Sequence, residues 1–251
     1  MAPFVTPLVT IALVRHGEYA QPEGVPSAGL PGPLTERGHT QAIQAATDLR
    51  NIARFLELDI NPTIDCSISL RSWQTAALIS ASLFPEEQAA PVQYESLCER
   101  SLGAMSNLTI AQIESHLADD PRYSVPDFRW KSDPFYQLPF PGAESLMQAG
   151  QRVADHLTTY QTQDSASLKI IVGHGAALRH AAVHLGMLAL HEVGAVTMLH
   201  ASPVIIQYDG GAWHHVPIRR SEMSNTTRTG TLVSSPREED DLFSWYPRQT
   251  S

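Results

Sequence analysis

This 251-residue sequence has little cysteine, no long apolar run and a deficit of basic residues, and each lack excludes a class of protein. Its two cysteines, Cys66 and Cys98, are too few for a disulfide framework, so we expect two reduced thiols. With 17 basic against 26 acidic side chains, the formal net charge of −9 argues against a nucleic-acid surface. No apolar stretch is long enough to span a membrane, and the first residues lack a basic leader, so we expect a cytoplasmic protein.

Three common hydrolase motifs are also missing. A cysteine phosphatase needs five residues between its thiolate and its arginine, but only four separate Cys66 from Arg71. The sequence contains no Gly-x-Ser-x-Gly elbow for a serine nucleophile. It contains no Gly-x-x-x-x-Gly-Lys-Ser/Thr loop for a nucleotide. Phosphate chemistry in this chain would therefore need a different nucleophile.

Two apolar segments each end in a histidine flanked by glycine. Residues 8–14 run into Arg15, His16 and Gly17, and residues 169–172 run into Gly173, His174 and Gly175. An arginine fork matches phosphate oxygens, a neutral imidazole can attack phosphorus, and glycine lets an oxyanion approach the backbone. In open α/β sheets, ligands bind at the carboxyl edge of the strands. These two strand ends therefore predict a phosphate site.

Strands and helices alternate along the chain, which predicts an α/β fold of three layers with a mostly parallel central sheet flanked by helices. We predict one catalytic domain over residues 1–220, with a cap insertion at about 100–141, and a flexible tail at 221–251. The predicted strands are 8–14, 64–69, 92–94 and 169–172, followed by a hairpin of 196–200 with 204–208 around Ser202 and Pro203. The predicted helices are 35–55, 71–83, 109–117, 143–160 and 176–188.

Six motifs occur in an order that resembles the histidine phosphatase superfamily, which contains cofactor-dependent phosphoglycerate mutases and many small phosphatases. They are Leu-Val-Arg-His-Gly-Glu at 13–18, Leu-Thr-Glu-Arg-Gly at 34–38, Ser-Leu-Arg-Ser at 69–72, Leu-Cys-Glu-Arg at 97–100, Pro-Gly-Ala-Glu-Ser at 141–145 and Val-Gly-His-Gly at 172–175. The resemblance covers roughly residues 8 to 208. It implies a phosphoglycerate mutase-like fold.

The resemblance also implies roles for individual residues. His16 would be the nucleophile that forms phosphohistidine, and Glu99 would donate a proton to the leaving group and later activate water. His174 would complete the catalytic set. It would share the phosphate pocket with the other phosphate-binding residues, Arg15, Arg71, Gly17 and Gly175. The family chemistry implies neither a metal nor a cofactor.

The choice between mutase and phosphatase depends on a few positions. Mutases of the family typically have a serine where this chain has Tyr19, Trp-Asn where it has Gln21 and Pro22, and asparagine where it has Ala176. The absence of these mutase residues favours a phosphatase that acts on a small, anionic phosphorylated metabolite. Arg129 and Lys131 fall where mutases keep a basic pair for the substrate carboxylate. The candidate substrate-binding residues are thus Tyr19, Gln21, Arg129 and Lys131. A mutase-type phosphoryl transfer and a non-catalytic binding relative remain alternatives.

Three further positions have competing interpretations. Glu144 is expected to cap the helix that follows Pro141 and Gly142. His180 and His184 are four residues apart on a predicted helix, as in a zinc pair, but the glutamate of the zinc-protease helix is missing, which favours packing. Arg100 is either a surface charge or part of the site. The oligomeric state, including a homo-oligomer, stays open.

Overall fold

The computed structural model describes residues 9–87, 90–162, 167–219, 242–243 and 245–247. Its main feature is a six-stranded sheet in the order β3-β2-β4-β1-β6-β7. The strands are β1 (Val9–Arg15), β2 (Asp59–Ser67), β3 (Val92–Tyr94), β4 (Ser167–Gly173), β6 (Pro203–Tyr208) and β7 (Trp213–Val216). β1, β2, β3 and β4 run parallel, whereas β6 and β7 are antiparallel to their neighbours.

Helices cover both faces of this sheet. They are α1 (Glu36–Phe55), α2 (Leu70–Leu83), α3 (Ile110–Asp119), α4 (Leu146–Thr158) and α5 (Gly175–His184). Side chains of β1 alternate between the faces, because Ile11 and Leu13 pack with α4 and α5 whereas Ala12 and Val14 pack with α1 and α2. The predicted three-layer α/β fold is confirmed.

The pairing of β1 with β4 places the two predicted strand ends side by side. Arg15 lies in register with Gly173, and the backbone N–H of His16 donates to the Gly173 carbonyl at 3.0 Å. Both strands are buried along almost their whole length, as expected for the centre of a parallel sheet. The histidines that follow them therefore share one edge of the sheet.

The insertion between β3 and α4 has an apolar cluster of its own. It contains the short 3₁₀ helices Glu95–Leu97 and Gly103–Met105 as well as α3, whose Thr109 forms a capping box with Gln112. Leu102, Ile113, Leu117, Trp130 and Leu138 are among its buried members. Most of its large side chains are thus structural, although Phe128 is 81% exposed.

The predicted hairpin of 196–200 with 204–208 is wrong. β6 pairs with β1 on one side and with β7 on the other. The segment before it contributes only β5 (Val196–Thr197), which pairs with β10 (Tyr246–Pro247) in a separate two-stranded sheet. The turn residues around Ser202 and Pro203 are a local signal for a hairpin. β6 instead pairs with β1, because β1 is a long apolar strand that offers more backbone hydrogen bonds than the short segment before Ser202 does.

Other boundaries differ locally from the predictions. α4 begins at Leu146 rather than 143, because Ser145 and Gln148 form a capping box that sets the helix start. α5 ends at His184, before the predicted 188. Within the predicted tail, β9 (Leu242–Phe243) pairs with β8 (Ile218–Arg219), β10 pairs with β5, and Trp245 packs in the core cluster that also contains Ile11 and Leu13. The rest of 221–251 lies outside the described residues.

No helix in the described part of the chain combines the length and the apolarity that a membrane crossing requires.

Candidate active site

His16 lies at the carboxyl end of β1 and is only 3% exposed. Its Nδ1 is 2.7 Å from the backbone oxygen of Gly17, which can only accept, so Nδ1 carries the ring hydrogen. Its Nε2 accepts from Nε of Arg71 at 3.3 Å. Burial and the nearby Arg71 charge hold the pKa of His16 well below its usual value. His16 is therefore a neutral imidazole with its lone pair on Nε2.

Arg71 lies in the first turn of α2 and is completely buried. Its guanidinium donates to the carbonyls of Leu30 at 2.8 Å and Ser27 at 2.9 Å. It also donates to Nδ1 of His174 at 3.2 Å. These bonds fix the guanidinium next to Nε2 of His16, where charge on a transferring phosphoryl group would develop.

His174 is buried behind this arginine, 5.0 Å from the His16 ring. Because Nδ1 accepts from Arg71, Nε2 carries the hydrogen and donates to Oγ of Ser67 at 2.7 Å. Burial and the neighbouring His16 lower the pKa of His174, which keeps its ring neutral. In this state His174 orients Arg71 and presents no positive charge of its own.

Arg15 and the two predicted glycines complete the arrangement. Nη1 of Arg15 donates to the Met198 carbonyl at 2.9 Å. A Cβ on Gly175 would lie 3.2 Å from Cδ of Arg15, so this glycine leaves room for the arginine. A Cβ on Gly17 would lie 2.6 Å from the Gly38 carbonyl oxygen. Gly17 is thus required by a close backbone contact as well as by its position beside His16.

Glu99 reaches the site from the segment before the cap. Its Oε1 accepts from the backbone N–H groups of Arg100 at 2.9 Å and Ala177 at 3.1 Å. Within the described residues, its Oε2 accepts from the N–H of Ala176 alone, at 3.2 Å. The first turn of α5 therefore holds the carboxyl group, and Oε2 has fewer hydrogen bonds than Oε1.

A partly buried ion pair positions the segment that carries Glu99. Arg152 of α4 donates to the backbone carbonyls of Ser96, Cys98 and Glu99 at 3.0, 2.7 and 3.0 Å. The same guanidinium binds both carboxylate oxygens of Glu144, each at 2.8 Å. Glu144 also accepts from the Ser101 N–H at 3.0 Å. The prediction that Glu144 caps its helix is wrong, because Ser145 does so and Glu144 binds Arg152.

Two cavities meet at Glu99. The first, of about 450 Å³, lies over His16 and is lined also by Arg15, Tyr19 and Gly175. The second, of about 360 Å³, lies under the cap. Ser27, Glu99, Ala176 and Arg179 line both. The nucleophile and the candidate acid therefore both line the first cavity.

The four predicted substrate-binding residues lie at different places in the structure. Tyr19 packs edge-on against His16, with ring centroids 5.2 Å apart, and its ring lies 4.6 Å from the Arg71 guanidinium carbon. Gln21 and Lys131 line the second cavity. Arg129 does not: its side chain is 77% exposed, lies 3.7 Å from Asp127 and belongs to a different depression of the cap. The structure therefore does not bring Arg129 together with the other three residues, and its role in substrate binding stays a prediction.

Sequence reasoning missed His200, whose Nδ1 donates to the backbone oxygen of His16 at 2.8 Å. Burial and the Arg15 charge lower the pKa of His200 to about 4. It also missed Arg179, which donates to the carbonyls of Val193 and Val196, both at 2.6 Å. Neither residue lies in one of the six motifs, so no local signal indicated them.

Among the described residues, no group of three or more His, Cys, Asp and Glu side chains is arranged to hold a metal. His180 and His184 instead bond the backbone oxygens of Ala176 and Met147. Cys66 and Cys98 are both free thiols.

Comparison with known proteins agrees with this geometry. The family model of the histidine phosphatase superfamily (branch 1) matches residues 11–219. No curated protein sequence matches the chain significantly.

Among solved structures, the product of an open reading frame of Mycobacterium tuberculosis is 25% identical, with a TM-score of 0.60, over 83% of this chain and 95% of that one. A mycobacterial glucosyl-3-phosphoglycerate phosphatase is 21% identical, with a TM-score of 0.61, over 84% and 97%. A phosphoglycerate mutase from Bacillus anthracis is 19% identical, with a TM-score of 0.61, over 83% and 92%.

Proposed function

The chain belongs to the histidine phosphatase superfamily (branch 1), and from this membership we propose that it is a phosphatase that hydrolyses a small anionic phosphomonoester. In this proposal the phosphoryl group passes through a phosphohistidine on His16, and Glu99 is the general acid and base. Arg15 and Arg71 neutralise the phosphoryl oxygens without a metal ion.

The observation that carries the proposal is the tautomer of His16. The Gly17 carbonyl holds the hydrogen on Nδ1, so the lone pair lies on Nε2, where its partner is the long 3.3 Å bond from Nε of Arg71, and the adjoining cavity also contains Glu99. Burial and Arg71 keep the ring neutral. A nucleophile that needs no deprotonation and has its cation already beside it is arranged for attack on phosphorus.

The proposed reaction has two steps, and atoms and protons balance in each. Nε2 of His16 forms a bond to phosphorus while the ester oxygen leaves and takes a proton from Glu99. The ionised Glu99 then removes a proton from water, whose oxygen attacks the phosphohistidine and releases inorganic phosphate. The N–P bond breaks, and both His16 and Glu99 return to their starting states.

The residues of this chain at the positions of the mutase residues favour hydrolysis over mutase-type transfer. Tyr19 packs against His16, Gln21 bonds the Val25 carbonyl at 2.8 Å, and Ala176 has no polar side chain. None of these offers the phosphate and carboxylate contacts that would retain an intermediate for reorientation. The structural neighbours include both a phosphatase and a mutase, so fold likeness alone leaves the choice open.

The test is to trap the intermediate. Wild-type protein, mixed with ³²P-labelled substrate and quenched within milliseconds, should carry acid-labile, base-stable label. His16→Ala should lose label and turnover. His39→Ala, on the exposed side of α1, is the matched control and should keep both.

Three outcomes would contradict the proposal. Label on serine would assign a different nucleophile, and activity of the His16→Ala variant above a few percent would exclude His16. Transfer of label to a second acceptor molecule, with no inorganic phosphate released, would establish the mutase alternative. Intact binding without any turnover by the wild type would establish the non-catalytic relative.

A further inference from the structure

His180 is a buried histidine that the proposed reaction does not use. It belongs to α5, is only 4% exposed and lines the cavity under the cap. Gly150 of α4 packs directly against it, because a Cβ on this glycine would lie 2.6 Å from Cβ of His180. Protein therefore encloses the side chain on the side of α4, and its ring faces the cavity.

One nitrogen of this ring is held by the protein and the other has no partner. Nδ1 lies 2.8 Å from the Ala176 carbonyl oxygen, which can only accept, so Nδ1 carries the hydrogen. The lone pair is then on Nε2, and no described residue donates a hydrogen bond to it. Burial lowers the pKa of His180, so the ring is neutral near pH 7. His180 is thus a hydrogen-bond acceptor at Nε2.

This acceptor adjoins open space. The fully enclosed side-chain atoms without a partner in the described structure are the hydroxyl of Tyr19 and the indole nitrogens of Trp213 and Trp245. Nε2 of His180 is not one of them. Of the two cavities at the site, His180 lines the one under the cap. A polar atom at such a cavity with no partner in the protein is available to a ligand.

Ala176 links His180 to the candidate acid. Its backbone N–H donates to Oε2 of Glu99 at 3.2 Å, and its carbonyl accepts from Nδ1 of His180. Glu99 and Ala176 line both cavities. In the proposed reaction the ester oxygen takes its proton from Glu99, so the leaving group begins beside Glu99. The next atoms of the leaving group then lie within reach of His180.

The charges around the cavity determine which donor suits Nε2. Arg100, Lys131 and Arg179 line the same cavity. A substrate ammonium group would face these three cations, and like charges in a binding site are unfavourable. A hydroxyl group donates a hydrogen bond without carrying a charge. The acceptor therefore suits a hydroxyl.

We propose that His180 is a specificity-determining residue whose Nε2 accepts a hydrogen bond from a hydroxyl group on the leaving group of the substrate. The inference rests on the proposed phosphatase function and makes it more specific. A deoxy analogue would leave Nε2 without a partner, and an unpaired buried acceptor is unfavourable. Esters with a hydroxyl a few bonds from the ester oxygen are therefore preferred over their deoxy analogues.

Matched pairs of substrates test the inference. Glycerol 3-phosphate is compared with the analogues that lack one of its hydroxyls, and glucose 6-phosphate is compared with its monodeoxy analogues. In each pair, the ratio of kcat/KM for the hydroxyl ester to that for the deoxy ester reports the contribution of one hydroxyl. A neutral hydrogen bond corresponds to about three- to tenfold, so at least one ratio should reach this range.

Variants assign the preference to His180. His180→Phe keeps a planar ring without an acceptor, so the ratio should fall to about one. His180→Gln keeps an oxygen that can accept and should retain most of the ratio. His184→Phe makes the same change one turn along α5, at an exposed ring that bonds the Met147 carbonyl, and should leave the ratio unchanged. Because His180→Phe alters the packing against Gly150, His180→Leu is the second variant without an acceptor.

Three results would overturn the acceptor role while the phosphatase function stands, provided that an aryl phosphate is hydrolysed through labelled His16. The first is a ratio that does not fall in either His180→Phe or His180→Leu. The second is a ratio that His180→Gln loses as completely as His180→Phe does, since the shape of the ring would then matter rather than its lone pair. The third is that none of the hydroxyl esters is hydrolysed or bound.

A binding measurement covers the case in which no ester is hydrolysed. Calorimetry then compares the dissociation constants of the same ester pairs for the wild type and for His180→Phe. If the wild type binds a hydroxyl ester at least threefold more tightly than its deoxy analogue and His180→Phe does not, the acceptor role stands and the phosphatase function fails. Without such a preference, both proposals fail.

Discussion

Replacing Arg152 with lysine should disable proton transfer by Glu99 without touching Glu99 itself. The arginine makes five hydrogen bonds: three to the backbone carbonyls of Ser96, Cys98 and Glu99, and two to the Glu144 carboxylate. A lysine ammonium has three donors on a single atom and cannot span these acceptors. Arg152 is thus a positioning residue for the segment that carries the acid.

The magnitude follows from the bonds lost. At least two of five charge-assisted bonds disappear while one positive charge remains, and the pair is about a quarter exposed. We expect the free energy of unfolding to fall by about 2 to 3 kcal/mol. A displacement of Glu99 by about 1 Å should lower kcat for an alkyl phosphate by about 100-fold.

The assay compares an alkyl phosphate with a nitrophenyl phosphate, alongside urea unfolding. A good leaving group needs little protonation, so kcat for the nitrophenyl ester should fall much less than kcat for the alkyl ester, with KM nearly constant for both. Arg122→Lys, in an exposed pair with Asp120, is the control and should change neither. An equal fall for both esters, or lost stability with unchanged leaving-group dependence, would refute the positioning role.

The other predictions concern the acid, metal independence and pH. Glu99→Gln should cost about 3 to 5 kcal/mol of transition-state stabilisation for an alkyl ester and much less for an aryl ester. Phosphohistidine should accumulate on the enzyme when the aryl ester is the substrate. Equal slowing of both esters without a trapped intermediate would assign the acid role to another residue. Activity should survive EDTA, since arginines neutralise the phosphate; rescue of a chelator-inactivated enzyme by zinc or magnesium would contradict this. The folded state lowers the pKa values of His16, His174 and His200, so below about pH 6.5 the unfolded chain binds more protons. Urea unfolding should therefore show stability falling from pH 6.5 toward 4, by about 1.4 kcal/mol per pH unit for each such histidine, and a flat profile would count against the buried neutral rings.

The predictable part of this protein was the part set by local pattern. Alternation of apolar strands and amphipathic helices predicted the layers, and two strands ending in histidine predicted the edge at which His16 and His174 meet. The register of Arg15 with Gly173 confirms that these ends lie side by side. α1 likewise runs over Glu36–Phe55, directly after its N-cap Thr35, in agreement with the helix predicted over 35–55.

The rest depended on contacts between distant segments. A glutamate just before a helix is a local capping signal. Glu144 instead binds Arg152 through both carboxylate oxygens, and Arg152 also donates to three backbone carbonyls. These contacts together stabilise the structure more than one contact at the helix N-terminus would. In sequence, Arg100 has the polar neighbours Glu99 and Ser101, whereas Arg129 has the apolar neighbours Phe128 and Trp130, so local pattern would suggest the reverse of their burial. Only the packing of the cap buries the first and leaves the second in solvent.

In the proposed function, the cavity over His16 holds the phosphoryl group and the cavity under the cap holds the leaving group. Beside His16, the donors of Arg71 are already bound to the Leu30 and Ser27 carbonyls, to His174 and to His16 itself, so this cation needs little reorganisation when a phosphoryl group arrives. Under the cap, Arg100 keeps donors that no described residue accepts from. A phosphoryl group common to every phosphomonoester engages the first set equally well. In the proposed function, Arg71 and His16 therefore do not discriminate among esters, and selectivity falls to the residues that contact the leaving group.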